Sequence, residues 1–178
     1  MSVNLSQKER MLLNDQKNHE QVCIQKYQSY ASQAQSSELK QLFNSFAQSE
    51  QSHLNTINQI LSGQVPNIQQ GQQGQQQGQQ GQQGQQSQKG QQQGNMQSSA
   101  ANASNNTTSQ TAFSQSDAAL CSDMLMTEKY VSGAYDTAIF EFADPQIRQV
   151  LNHIQKEEQQ HGEGLFQYMQ NQGMYNVQ

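Results

Sequence analysis

Residues 157–161 read Glu157-Glu158-Gln159-Gln160-His161, and 108 positions earlier residues 49–53 read Ser49-Glu50-Gln51-Ser52-His53. Each stretch contains a Glu-x-x-His. Residues at i and i+3 share one face of a helix, about one turn apart, so each motif can turn a carboxylate and an imidazole toward one point. Thirty residues upstream of each motif stands a further glutamate, Glu20 before Glu50 and Glu128 before Glu158. In a helical hairpin, two residues lie at one height when the turn falls midway between them. The midpoints are 35 and 143, and Ser36-Ser37 and Asp144-Pro145 sit beside them. Ser36-Ser37 marks a tight break. Asp144 followed by Pro145 is an N-cap with proline at the first helical position, where a missing N–H costs nothing.

The shared offset extends beyond the motifs. Leu12 matches Leu120, Asp15 matches Asp123, Tyr27 matches Tyr135, Leu39 matches Ile147 and Leu42 matches Val150. The chain is therefore an internal duplication of one helical hairpin. Helix boundaries follow from capping chemistry. Ser6 with Glu9 three residues on forms a capping box, and the first helix runs to about Ala34 with Leu12, Leu13, Val22, Cys23 and Tyr27 as its apolar stripe. The second runs from about Glu38 to Ser62, with Gly63 as its stop and Pro66 beyond. The third starts near Ser114 or Ser116 and continues to about Phe142. The fourth follows Pro145, carries Ile147, Val150, Leu151, Ile154, Leu165, Phe166 and Met169, and ends at Gly173. Gly133 and Gly162 interrupt the third and fourth helices and weaken them by up to about 1 kcal/mol each relative to alanine.

Composition separates these hairpins. Residues 69–94 hold 17 Gln, 7 Gly, one Ser and one Lys, and a Ser/Asn/Thr run follows from Ser98 to Thr111. This material cannot build a core, lacks the proline of collagen, and reads as a disordered crossover. Its random-coil span of roughly 35–41 Å is enough to cross a bundle of 26-residue helices, about 39 Å long. The sequence thus divides into a hairpin at 1–63, a linker at 64–112 and a hairpin at 113–178. Outside the linker about 39% of residues are apolar, which suits a helical bundle. The net charge of −5 argues against nucleic acid as a main partner. No apolar run approaches the ~20 residues of a membrane span. The first residues lack the basic flank and apolar stretch of a secretory signal. Two cysteines without a pairing pattern fit a reducing compartment and exclude a disulfide scaffold.

The expected fold is therefore an all-α four-helix bundle of two duplicated hairpins with one long crossover. Facing hairpins bring Glu20, Glu50, His53, Glu128, Glu158 and His161 to one plane of the core. This is the carboxylate-bridged two-metal pattern of ferritin-like bundles. The plain alternative is six solvated side chains on helix surfaces. Burial would cost several kcal/mol for each unpaired carboxylate, so it requires compensating cations. Two divalent ions supply that charge, and the mixed ligand set suits two iron or two manganese ions, with zinc a further option and magnesium or calcium less suited. Around these six, Glu157 is either an acceptor orienting an imidazole or a solvated side chain. Tyr27 and Tyr135 lie two turns along the same face, as redox-active groups, as hydrogen-bond donors to a ligand, or as core filler. Asp15 and Asp123 support the site or face solvent. His19 and His153 fall outside the repeat and read as surface residues. Cys23 and Cys121 read as small buried hydrophobes, and Met11, Met124, Met126 and Met169 as core filler.

The second half also resembles a known family. Asp123 through Lys129, Tyr135, Ala138, Glu141, Asp144-Pro145-x-Ile147-Arg148 and the closing Gly173-Met174-Tyr175 are similar to the spore coat protein F family of endospore-forming bacteria, whose domain is a ferritin-like helical hairpin. The resemblance covers about 60 residues well. It implies a protein made in the mother-cell cytoplasm and laid down in the spore coat among other coat proteins, with self-association compatible. The superfamily pattern implies Glu50 and Glu158 as bridging ligands, with Glu20 and His53, and Glu128 and His161, as terminal ones. Two functions follow: a structural coat protein with a metal-bearing core, or a di-metal oxidoreductase of ferroxidase, peroxidase or catalase type acting on O2 or H2O2. Iron storage is a third reading, which would need a closed shell that the long insert makes awkward. The Gln/Gly tract is either a spacer or a self-associating, cross-linkable segment.

Overall fold

The computed structural model describes residues 4–66 and 106–175, with side chains from Asp117 onward in the second stretch. Four helices make up the described residues: α1 (Gln7–Gln33), α2 (Ser37–Leu61), α3 (Asn106–Glu141) and α4 (Pro145–Asn171). Their caps are those the sequence signals. Ser6 and Glu9 form a reciprocal capping box, Ser36 accepts from the Leu39 amide, and Asp144 accepts from the amides of Gln146 and Ile147 with Pro145 at the first helical position. Gly63 (φ 87°) and Gly173 (φ 67°) follow α2 and α4 in the left-handed region that a side chain would strain.

Each hairpin is antiparallel, and the hairpins meet with α1 antiparallel to α3 and α2 against α4. Lys8 near the start of α1 pairs with Glu141 at the end of α3, and Lys26 lies 2.6 Å from Asp123 nearer its start. The duplication is thus expressed as a pseudo-twofold axis across the bundle, exchanging α1 with α3 and α2 with α4. A pair of carboxylates shows this at the ends. Asp117 accepts from the backbone amides of Gln35 (2.9 Å) and Ser36 (3.0 Å) in the α1–α2 turn. Its repeat partner, Glu9, accepts from the Ala143 amide (2.9 Å) in the α3–α4 turn. Each hairpin's first helix therefore caps the other hairpin's turn.

The topology follows from these contacts. Arg10 donates to the Leu61 carbonyl, which puts the end of α2 beside the start of α1. Asp117 puts the early part of α3 at the opposite end. The end of α2 and the early part of α3 therefore lie at opposite ends of the bundle, about 40 Å apart for helices of this length. The Gln/Gly tract between them lies outside the described residues.

Three expectations need correction. α3 begins at Asn106, eight to ten residues before Ser114 or Ser116. Ser, Asn and Thr are poor helix formers by only a few tenths of a kcal/mol each, and extending an existing helix avoids the cost of nucleation. Val22 is half exposed and leaves the α1 stripe, which instead runs through Leu13, Gln16, Glu20, Cys23, Ile24, Tyr27 and Ala31. Met11 and Met126 are exposed, while Met124 and Met169 are buried as expected.

The core is two apolar clusters. One gathers Leu13, Ile57, Ile60, Tyr135, Ile147 and Leu151; the other gathers Tyr27, Leu39, Phe43, Met124, Leu165 and Met169. Each fully buried aliphatic or aromatic side chain contributes about 1.5–3 kcal/mol.

The end caps yield a stability prediction. Asp117→Ala should lower the unfolding free energy by about 1–3 kcal/mol, because two amides in the turn lose their acceptor. Denaturant titration measures this. A loss below about 0.5 kcal/mol would mean that the turn is held by other contacts.

Candidate metal centre

Glu20 comes from α1, Glu50 and His53 from α2, Glu128 from α3, and Glu158 and His161 from α4. All six are buried, the most exposed being His161 at 4%. Helix positions that elsewhere carry Leu or Ile here carry ionisable groups, so α2 and α4 stay amphipathic while their apolar stripe is interrupted at mid-height. The six ligand-type side chains fall into two groups whose donor atoms all lie within 4.8 Å of one another. One comprises Glu20, Glu50, His53 and Glu158; the other comprises Glu50, Glu128, Glu158 and His161. Glu50 and Glu158 are common to both.

Distances repeat across the pseudo-twofold. His53 Nδ1 lies 2.9 Å from Glu158 Oε1, and His161 Nδ1 lies 3.0 Å from Glu50 Oε1. Within each motif the histidine Nδ1 is 3.3 Å (His53 to Glu50) or 3.6 Å (His161 to Glu158) from its own glutamate. Glu20 and Glu128 stand 3.6 and 3.9 Å from His53 and His161 respectively. Tyr27 donates to Glu128 and Tyr135 donates to Glu20, so each tyrosine anchors the lone glutamate of the opposite hairpin. Both tyrosines are fully buried in the apolar clusters with their hydroxyls satisfied, so they fill the core as the sequence suggests, and the group each hydroxyl bonds is a candidate metal ligand.

Outside this ring the two halves differ. Glu157 lies 2.9 Å from His53 Nε2, which leaves Nδ1 to face the cluster. The repeat partner of Glu157 is Ser49. On the other side, His161 packs against the Phe46 ring at 4.5 Å between centroids. Gly164 makes room for it, since a Cβ there would come within 2.8 Å of Phe46 Cζ. His153 reaches Glu157 from outside at 3.6 Å, and His19 stacks edge-on against Tyr130, so both are half-buried rather than freely exposed. Asp123 engages Lys26 and the Tyr30 hydroxyl (2.6 Å each), whereas Asp15 is exposed. Cys23 and Cys121 are buried free thiols, and burial pushes Cys121 up to about 12, so neither is a thiolate.

The charges are coupled. Burial pushes Glu20 well above the usual carboxylate range, the charge of Glu158 adds to this, and His53 offsets only part of it. Burial, then the charges of Glu158 and Glu50, push Glu128 up. For Glu50 and Glu158 burial also acts upward, but His161 and His53 outweigh it and hold both below the usual range. Burial alone would lower His53 and His161. The carboxylates around them prevail, Glu157 foremost for His53 and Glu158 for His161, and raise both. Burial thus favours the protonated form of Glu20 and Glu128, while Glu50 and Glu158 pair with the imidazoles and Glu157 adds a further carboxylate beside His53. Two divalent cations would balance four ionised carboxylates beside two neutral imidazoles. Glu20 Oε2, Glu128 Oε2 and Glu158 Oε2 have no hydrogen-bond partner, and Glu158 Oε1 has only the His53 Nδ1 contact at 2.9 Å, without hydrogen-bond geometry. Buried polar atoms without partners are uncommon and costly. Their convergence with two imidazoles fits a site for a pair of divalent ions.

Helix pairing and a carboxylate–imidazole core define the class, a four-helix bundle with a duplicated candidate metal centre. Residues 116–178 match the model of the Coat F domain. The match covers the second hairpin, about a third of the chain, and supports a spore coat protein. No curated protein and no solved structure matches the chain.

The raised histidines set a pH dependence. Folded His53 and His161 keep their protons above about pH 6.5, where the unfolded chain releases them. The stability they confer is complete below that pH and is lost as pH rises through their raised values; Glu20 and Glu128 act in the same sense. Metal-free protein should therefore lose thermal stability from about pH 6.5 upward, and protein supplied with a divalent cation should not. A melting temperature that stays level or climbs over this range without metal would contradict the buried imidazolium pair.

Proposed function

We propose that the chain is a structural component of the spore coat whose interior binds two divalent metal ions, iron or manganese. What carries the reading is the meeting of four buried glutamates with two imidazoles in overlapping ligand groups, with Glu20 Oε2, Glu128 Oε2 and Glu158 Oε2 lacking any hydrogen-bond partner. Glu50 and Glu158 would bridge the ions. Glu20 with His53 would complete one side, and Glu128 with His161 the other. Tyr27 and Tyr135 hold Glu128 and Glu20 in place, and Glu157 orients His53. As a structural element the pair would tie all four helices to one point, replacing the proton network that otherwise neutralises the core.

The protein is read as a product of the mother cell that assembles with other coat proteins, and association with its own copies is compatible with this role. A second reading is a di-metal oxidoreductase of ferroxidase, peroxidase or catalase type. A bound iron or manganese pair would supply redox chemistry toward O2 or H2O2. Two fully buried tyrosines donating to candidate ligands favour this reading, since they place phenols beside the site.

Metal analysis and turnover assays separate the two. Two ions per chain without turnover mark a structural centre, and two ions with turnover on O2 or H2O2 mark the enzyme. Glu50→Gln with Glu158→Gln should abolish binding of both ions while circular dichroism shows unchanged helix content. Undiminished stoichiometry in that double variant would refute the ligand set.

A further inference from the structure

The duplication offers an internal control on access to the cluster. Between α3 and α4 lies a groove of about 530 Å³, open to solvent, with Leu125, Ser132, Gly133 and Gly162 among its walls and Glu128 and Glu158 on its floor. Both floor residues are at least nine-tenths buried and have unpartnered carboxylate oxygens. Adding a Cβ at Gly162 would bring it 3.9 Å from Glu128 Cβ, and at Gly133 a Cβ meets nothing within 4 Å. The space in front of the carboxylates therefore exists because these two positions lack side chains.

The same positions on the α1–α2 face are filled. Gly162 corresponds to Leu54, Gly133 to Gln25 and Ser132 to Ile24, and Ile24 is 8% exposed. Glu20 and Glu50, the counterparts of Glu128 and Glu158, are fully buried behind them. The α3–α4 face thus carries a groove where the α1–α2 face carries the side chains of Ile24 and Leu54, although the glutamates themselves are equally buried on both sides.

We propose that the α3–α4 groove is the port through which divalent cations reach the cluster, with Gly133 and Gly162 keeping it open. The proposal rests on the metal-binding reading above. Asp136 and Lys129 both line the groove, with the carboxylates of Glu128 and Glu158 beneath them, so three acidic groups against one cationic one offer oxygen that suits a hard or borderline cation shedding its water. The two glycines weaken their helices relative to alanine, and room for an entering ion accounts for keeping that weakness.

The test is the rate of metal uptake by the full-length, metal-free chain, followed by stopped-flow absorbance with Co2+, together with stoichiometry at equilibrium. Gly162→Leu combined with Gly133→Gln copies the closed face into the open one. Both replacements favour the helix, and Gly133→Gln alone serves as a milder variant with no clash to relieve. The expected result is two ions bound at equilibrium with uptake slowed about tenfold or more. Adding Leu54→Gly and Ile24→Ser to the plugged chain should restore fast uptake through the other face. Wild-type uptake rates in the plugged variants would overturn the port, and so would reduced stoichiometry, which would make the glycines part of the site itself. Failure of the unaltered chain to bind Co2+ at all would instead refute the metal centre, and the port with it.

Discussion

A layer of four carboxylates and two imidazoles is buried at mid-height between two apolar clusters, and the rest of the molecule is arranged around the need to keep it neutral. Burial raises Glu20 and Glu128, while His53 and His161 hold Glu50 and Glu158 below the usual carboxylate range. No single helix could satisfy such a layer, since a helix face offers one or two groups per turn. Four helices must converge at one level. That requirement places both turns midway between paired glutamates and brings α1 against α3 in antiparallel register. The apolar clusters on either side exclude the water that would otherwise weaken these interactions.

The duplication shows which features this constraint demands. The pairs kept are the six ligand-type residues, Tyr27 with Tyr135, and, at the bundle ends, Glu9 with Asp117. The groups packed on the outer sides of the two histidines have diverged. Glu157 supports His53 where the repeat partner is Ser49, and Phe46 packs on His161 where the partner of Phe46 is Ile154. The two histidines therefore have different surroundings, one polar and one aromatic, within an otherwise paired ring. Surface ion pairs have diverged as well, as expected of interactions worth little in solvent.

Much of this was legible in the sequence because it is periodic. Glu-x-x-His at a fixed offset, lone glutamates thirty residues upstream and turn signals at both midpoints located the hairpins and named the six residues now found together. Capping chemistry placed Ser6, Ser36 and Asp144 correctly because it is local. Contacts between the hairpins were harder to read. Glu9 was legible as a capping-box partner, but its second oxygen serves the Ala143 amide, and Asp117 gave no local signal. Comparing Asp117 with Glu9 through the repeat offset would have exposed the pair. Val22, Met11 and Met126 were misplaced because hydrophobicity alone does not distinguish the core stripe of α1 and α3, where Glu20 and Glu128 take positions that apolar residues would normally hold. The start of α3 was missed because weak helix formers extend a helix that something else has nucleated.

The reciprocal capping of each hairpin's turn by the other has a consequence for how the halves relate. A lone hairpin of this type supplies three of the six groups and leaves an acidic stripe along the middle of its apolar face, with its turn amides uncapped. Such a unit is incomplete without a twin, whether covalently tethered or borrowed from another molecule. Here fusion makes the twin permanently available, and removes the dilution penalty that separate halves would face on assembly.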